Sequence, residues 1–171
     1  MTDPLVNLAD LDVRTLDPEG PPKGTPPSTY DVRWCEISSR IGARKLGYNL
    51  TVVAPGKRNC PFHSHYVDEE MFLILEGTGE LRYGARRYPL KPGDIVACPP
   101  GGPETAHQII NTGRTDMRYL ALSTMAPADI CEYPDSGKFG AFAGRTPETA
   151  GGPTFRHIGK PSDHHNYWEG E

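Results

Sequence analysis

Between residues 30 and 124 the apolar positions fall in short runs punctuated by Gly, Pro, Asn and Asp. Residues 32–37 (VRWCEI) alternate as a half-buried strand does. Residues 46–54 (LGYNLTVVA) are rich in β-branched and aromatic side chains and stop at Pro55-Gly56, which predicts a second strand. Residues 38–45, between them, predict a short helical turn or a loop. Residues 71–76 (MFLILE) are apolar on both faces, which predicts a central strand. Further strands are predicted at 80–83, 87–90, 94–98, 106–111 and 117–124, with turn residues filling the gaps. Strands spaced about 8–12 residues apart with turn chemistry between them predict an all-β sandwich or barrel. The chain shows no convincing amphipathic helix of three turns and no internal repeat.

The flanks read differently. Residues 1–30 place Leu5, Val6, Leu8, Leu11, Val13 and Leu16 among Asp and Pro, then run into DPEGPPKGTPP. Such a segment buries too little to fold alone, and its prolines favour extended geometry. It is expected as an arm packed on the domain or on a partner subunit, or as a disordered segment. Beyond residue 125, residues 130–133 predict an edge strand, 134–137 a turn and 138–142 a further extended piece. From Gly144 the chain becomes polar and rich in Gly and Pro. The expected layout is an arm over 1–30, a barrel over 31–143 and a tail over 144–171.

Composition narrows the class. With 171 residues the chain suits one domain with a real core. Its 19 Gly and 18 Pro favour turns and arms over long helices. The net charge is −4 and no basic run occurs, so nucleic acid is not an expected partner. No apolar stretch of about 18 residues is present to span a membrane. MTDPLVNLADLDV has neither a basic nor an apolar leader region, so a cytoplasmic location is expected. Cys35, Cys60, Cys98 and Cys131 are widely spaced, and free thiols are expected.

The candidate chemistry lies in residues 56–77 (GKRNCPFHSHYVDEEMFLILEG). His63 and His65 stand one residue apart, and in an extended segment positions i and i+2 project to one face. A carboxylate follows at Glu70, and His107 lies further along. Imidazoles with a carboxylate form a donor set for Fe(II), Mn, Ni, Co or Zn rather than Ca. Glu69 competes with Glu70. Glu70 shares a face with Phe72 and Ile74, Glu69 with Met71, Leu73 and Leu75, and both faces are apolar, so parity alone does not choose. Cys60 reads as a small buried thiol rather than a ligand. His157, His164 and His165 read as part of a polar tail rather than a second metal site, because ligands need a rigid scaffold. Tyr48, Gln108 and Asn111 are either pocket-lining or exposed strand residues. Lys57, Arg58, Arg82, Arg86 and Arg87 either face an anionic ligand or, the simpler reading, form a solvated surface.

These residues carry a resemblance. Gly56, His63, His65, Glu70 and Gly77 resemble the first cupin motif, and the six residues between Glu70 and Gly77 favour Glu70 over its neighbour. Gly93, Pro99, Gly101, His107 and Asn111 resemble the second. Two departures occur: six residues separate Gly56 from His63 where five are usual, and five separate Gly101 from His107 where two are usual. The resemblance spans residues 46–124. With its strand-rich start and the YPDSGK stretch, the layout is similar to small bacterial single-domain cupins without assigned function. It implies a double-stranded β-helix (jelly roll) holding one divalent metal ion (Fe, Zn, Mn or Ni) on His63, His65, Glu70 and His107. It also implies a small-molecule ligand and a homodimer. The implied function is a metal-dependent enzyme, a dioxygenase or an isomerase of a sugar or keto acid. A non-catalytic binding or sensing module is the alternative, and a storage role is a third. No helix-turn-helix accompanies the domain, which weighs against a DNA-linked sensor. An isomerase needs a base besides the ligands, for which Glu69, Glu104 or a Tyr are candidates.

Overall fold

The computed structural model describes residues 3–15, 28–30, 32–146 and 153–171. Leu16 and the Pro-rich run 17–27 lie outside the described residues. The strands are β1 (Arg14–Thr15), β2 (Val32–Glu36), β3 (Leu46–Val53), β4 (Ser64–His65), β5 (Glu70–Glu76), β6 (Gly79–Tyr83), β7 (Arg86–Leu90), β8 (Ile95–Cys98), β9 (His107–Ile110), β10 (Met117–Thr124), β11 (Ala128–Tyr133), β12 (Lys138–Ala143) and β13 (Phe155–Gly159). Among the described residues the only helical element is a 3-10 turn at Leu8–Asp10, and no helix is long and apolar enough to cross a membrane. The strands pair antiparallel in three sheets, ordered β1-β2-β3-β10-β5-β8, β13-β12-β11-β4 and β7-β6-β9. Almost every strand read from the pattern is present within a residue or two, because turn residues and period-two alternation are local signals.

The doubly apolar strands have a tertiary explanation. One face of β3, β5 and β10 points into the barrel, where Val53, Phe72, Ile74 and Tyr119 pack with Leu81, Val96, Ile109 and Met117. The opposite face carries Leu50, Leu75 and Leu120, which meet Cys35, Ile37 and the arm residues Val6, Leu8, Leu11 and Val13. The arm thus covers the outside of the six-stranded sheet. Burying each such aliphatic side chain contributes about 1.5–3 kcal/mol.

Two expectations need correction at the C-terminal side. Strand β11 is not an edge: it lies between β12 and β4, with Cys131 opposite Gly140 on one side and His65 on the other. The edge passes to β13, which pairs with β12 from Phe139–Gly159 to Ala143–Phe155 and lies within the segment expected as a polar tail. The reading missed β13 because it is five residues long, largely exposed, and framed by Gly and Pro. Gly77 closes β5 at φ 77°, and a Cβ there would sit 2.6 Å from the Asp116 carbonyl oxygen, so both the turn and the close approach demand glycine.

Candidate metal centre

Three elements bring the predicted residues together. His63 forms an isolated antiparallel bridge with His107 at the start of β9: His63 N–H donates to His107 O at 3.2 Å, and His107 N–H donates to His63 O at 2.7 Å. The two rings consequently lie 4.7 Å apart. His65 comes two residues later on β4, and Glu70 opens β5. The Glu70 Oε2 atom is 2.8 Å from His107 Nε2, 3.5 Å from His65 Nε2 and 3.8 Å from His63 Nε2. Three imidazoles thus approach one oxygen of Glu70: His63, Glu70 and His107 form one compact donor group, His65 sits beside it and groups more tightly with Asp129 and Cys131, and Glu69 is exposed.

The ring orientations are set from behind. His63 Nδ1 lies 2.8 Å from the Pro61 carbonyl oxygen, and His107 Nδ1 lies 3.2 Å from that of Thr105. His65 Nδ1 lies 2.5 Å from Asp129 Oδ2. Carbonyl and carboxylate oxygens only accept, so each Nδ1 carries the proton and each Nε2 faces the centre. Second partners of this kind fix the ring of a metal-bound histidine. His65 Nε2 is buried with no hydrogen-bond partner. A buried polar atom left so is costly unless something else satisfies it, and a cation at this centre is such a group. The long spacer 102–106 is absorbed as a turn, with Thr105 N–H bonded to Gly102 O at 3.0 Å, and it supplies the carbonyl that orients His107.

The electrostatics agree with the geometry. Burial pushes the Glu70 carboxyl up, but its bond with His107 and the close approach of the His65 and His63 imidazoles more than reverse this, so it is held well below the usual range. Burial also opposes a charge on His65, yet its contacts with Asp129 and Cys131 and the Glu70 carboxylate beside it outweigh this and raise its pKa. Burial lowers His63 to about 4. The ionised Glu70 therefore calls for positive charge at its centre, and a proton on His65 or a divalent cation supplies it. The thiols stay protonated: burial, then the Glu70 charge, lifts Cys60 to about 12, and burial raises Cys131. Cys60 remains a thiol 3.6 Å from His63 Nδ1, and all four cysteines are free.

Several residues fall elsewhere than their polarity suggested. Gln108 is buried, and its amide donates to the Cys60 carbonyl at 2.7 Å, tying down the histidine loop. Asn111 is likewise buried and braces turns. Tyr48 packs in the outer cluster. Arg82 pairs with Asp135 at 2.6 Å, and Arg87 pairs with Glu80, so neither belongs to the site. Of the candidate bases, Glu69 and Glu104 lie off it, Glu104 exposed and accepting from Gly102 N–H at 3.0 Å, whereas Tyr133 stacks on the His63 ring at 6.3 Å. His157 and His165 take local neighbours, Phe139 and Glu169.

Sequence reasoning missed Asp129. On β11 the inward positions are Asp129 and Cys131, while Ile130 is 46% exposed, the inverse of a hydrophobic reading. Besides His65, Asp129 accepts the Val67 and Asp68 N–H groups at 3.0 and 3.5 Å. The Asp129→Asn variant is expected to weaken metal binding about 10–100-fold, the usual effect of losing such a partner. Competition with a chromogenic chelator measures it, and an unchanged affinity would remove Asp129 from the site.

Residues 49–123 match the family model for the cupin domain. This stretch is a cupin domain. Strands β3 to β10 form its double-stranded β-helix, to which β1, β2 and β11 to β13 add from outside the matched stretch, and His63, His65, Glu70 and His107 lie within it. An uncharacterized protein of Methanocaldococcus jannaschii is 36% identical over 71 residues, 42% of this chain and 54% of its own length. Auxin-binding protein 1 of Arabidopsis thaliana is 33% identical over 101 residues, 55% of this chain and 50% of its own. The chain spans about half the length of the curated relatives it matches. A proposed sugar phosphate isomerase from Acidithiobacillus ferrooxidans is similar in structure, with a TM-score of 0.69 at 24% identity and 80% of both chains covered. At that identity the likeness concerns the fold.

Proposed function

We propose that this cupin binds one divalent metal ion on His63, His65, Glu70 and His107 and acts through it as an enzyme on a small molecule. One observation carries the reading: three imidazoles, each with its Nδ1 side engaged, turn their Nε2 atoms towards one oxygen of Glu70, His107 at 2.8 Å, His65 at 3.5 Å and His63 at 3.8 Å. Three nitrogens and one oxygen suit Fe, Mn, Ni or Zn and leave coordination positions open for ligand or water. A divalent ion there supplies Lewis acidity and, as iron, oxygen chemistry.

The chain's own residues then have defined tasks. Asp129 and the Pro61 and Thr105 carbonyls hold the three Nδ1 protons. Phe72, 5.8 Å from the His107 ring, and Tyr119 beyond it close the inner side against water. The cavity in front of His65 and Glu70 contains one further carboxylate, Asp68, and that one is held by Arg145. Among the described residues that line it no side-chain base is free, so the isomerase reading has no proton carrier from this chain in the cavity. The same observation supports the second reading, a module that binds its ligand without turning it over.

Elemental analysis of protein purified without a metal-binding tag tests the proposal. About one divalent ion per chain is the expected result, as for a single mononuclear site. Iron favours oxygenase chemistry, and zinc or nickel alone favours the isomerase or binding readings. A chain that takes up no metal when offered each ion in turn has no such centre.

A further inference from the structure

The cavity of about 260 Å³ that opens onto His65 and Glu70 carries two cations with no part in the ligand set. Arg145 follows β12 and Arg156 stands on β13, so both lie beyond the stretch that matches the cupin domain. Their guanidinium carbons sit 5.9 and 5.8 Å from the centroid of one ring, Phe142, which gathers them at the cavity. Their charges are used differently. Arg145 donates to the buried carboxylate of Asp68, which also accepts from Thr124 Oγ1 at 3.1 Å and Ala126 N–H at 2.9 Å. Arg156 is exposed, and among the described residues no carboxylate pairs with it. A guanidinium that faces a cavity with its fork unused is a seat for a planar oxyanion.

Charge balance narrows the anion. Two guanidinium groups and a divalent ion carry four positive charges, and the carboxylates of Glu70, Asp68 and Asp129 carry three negative ones. One positive charge is left, which a single carboxylate neutralises and a phosphate dianion exceeds. We propose that the cavity binds a small monocarboxylate, its carboxylate on Arg156 and a neutral hydroxyl or carbonyl oxygen towards the histidine–Glu70 centre. The second contact and the charge balance rest on the metal reading above, whereas the contact with Arg156 does not. Arg145 acts as a positioning residue: it holds Asp68 and presents Phe142.

Calorimetric titration tests this with three probes: lactate, its neutral analogue lactamide, and inorganic phosphate. The full chain is titrated zinc-loaded and chelator-treated, as wild type and as Arg156→Gln, with metal content assayed in each sample. Arg156→Gln is expected to weaken lactate binding about tenfold, the scale of one charge-assisted hydrogen bond at a solvent-open site. Lactamide binding and zinc content stay unchanged. Equal lactate affinity in both proteins overturns the proposal, as does the absence of saturable lactate binding. Tighter binding of phosphate than of lactate overturns the carboxylate assignment. Failure of the metal reading looks different: the chain then takes up no zinc, while any dependence of lactate binding on Arg156 persists.

Discussion

Replacing His107 by Ala is expected to lower metal affinity by about two to three orders of magnitude while the β-barrel stays folded. A zinc centre with four protein ligands is worth roughly 10–16 kcal/mol, so one ligand in four carries about 2.5–4 kcal/mol. His107 is 3% exposed and lies 2.8 Å from Glu70. Its loss also leaves Glu70 with only the longer approaches to His65 and His63, at 3.5 and 3.8 Å. The strand pairing does not depend on the ring, because His107 bonds to His63 through backbone atoms. Metal titration followed by far-UV circular dichroism separates the two effects. His63→Ala and His65→Ala should behave alike. Unchanged stoichiometry and affinity in all three variants would sink the ligand assignment, whereas loss of the β-sheet signal would make His107 a folding residue.

Asn111→Ala is expected to do the reverse, costing about 3 kcal/mol of stability with little effect on metal binding. Asn111 is fully buried just after β9. Its amide nitrogen donates to the Val53 carbonyl at 2.7 Å and to that of Thr115 at 2.8 Å, and its Oδ1 accepts from Gly113 N–H at 2.9 Å. One side chain thus joins the end of β3 to the turn that leads into β10. Truncation strands three backbone groups, each costing about 1–3 kcal/mol when buried without a partner, and partial relaxation reduces the sum. Urea unfolding should show a lower midpoint at an unchanged slope. A normal midpoint with lost metal would move Asn111 from the scaffold to the site.

The contrast between these two residues shows what local pattern conveys. Both stand in the second motif as polar side chains four residues apart, His107 opening β9 and Asn111 just beyond its end. Spacing marked His107 as a ligand, because imidazole chemistry is visible in the residue type. It did not tell whether Asn111 faces a pocket, solvent or backbone, because that depends on where β3 and the 112–116 turn come to lie. Gln108 was ambiguous for the same reason.

The sequence by itself indicated most of the strands and the turns between them, and its likeness to the two motifs supplied the expected ligand set and the preference for Glu70 over Glu69. These follow from period-two alternation, from the special backbone needs of Gly and Pro, and from motif spacing, all of which act over a few residues. Only the tertiary structure decided what surrounds the centre. Asp129 reaches His65 across 64 positions of sequence, through the register that sets Cys131 opposite His65. Arg156 reaches the cavity because β13 pairs with β12. The arm residues Leu8 and Leu11 find Leu50 and Leu120 only once the six-stranded sheet presents its outer face. Contacts of this kind arise from sheet registration and layer packing, whose energy is shared among many residues and leaves no mark at the single position that uses it.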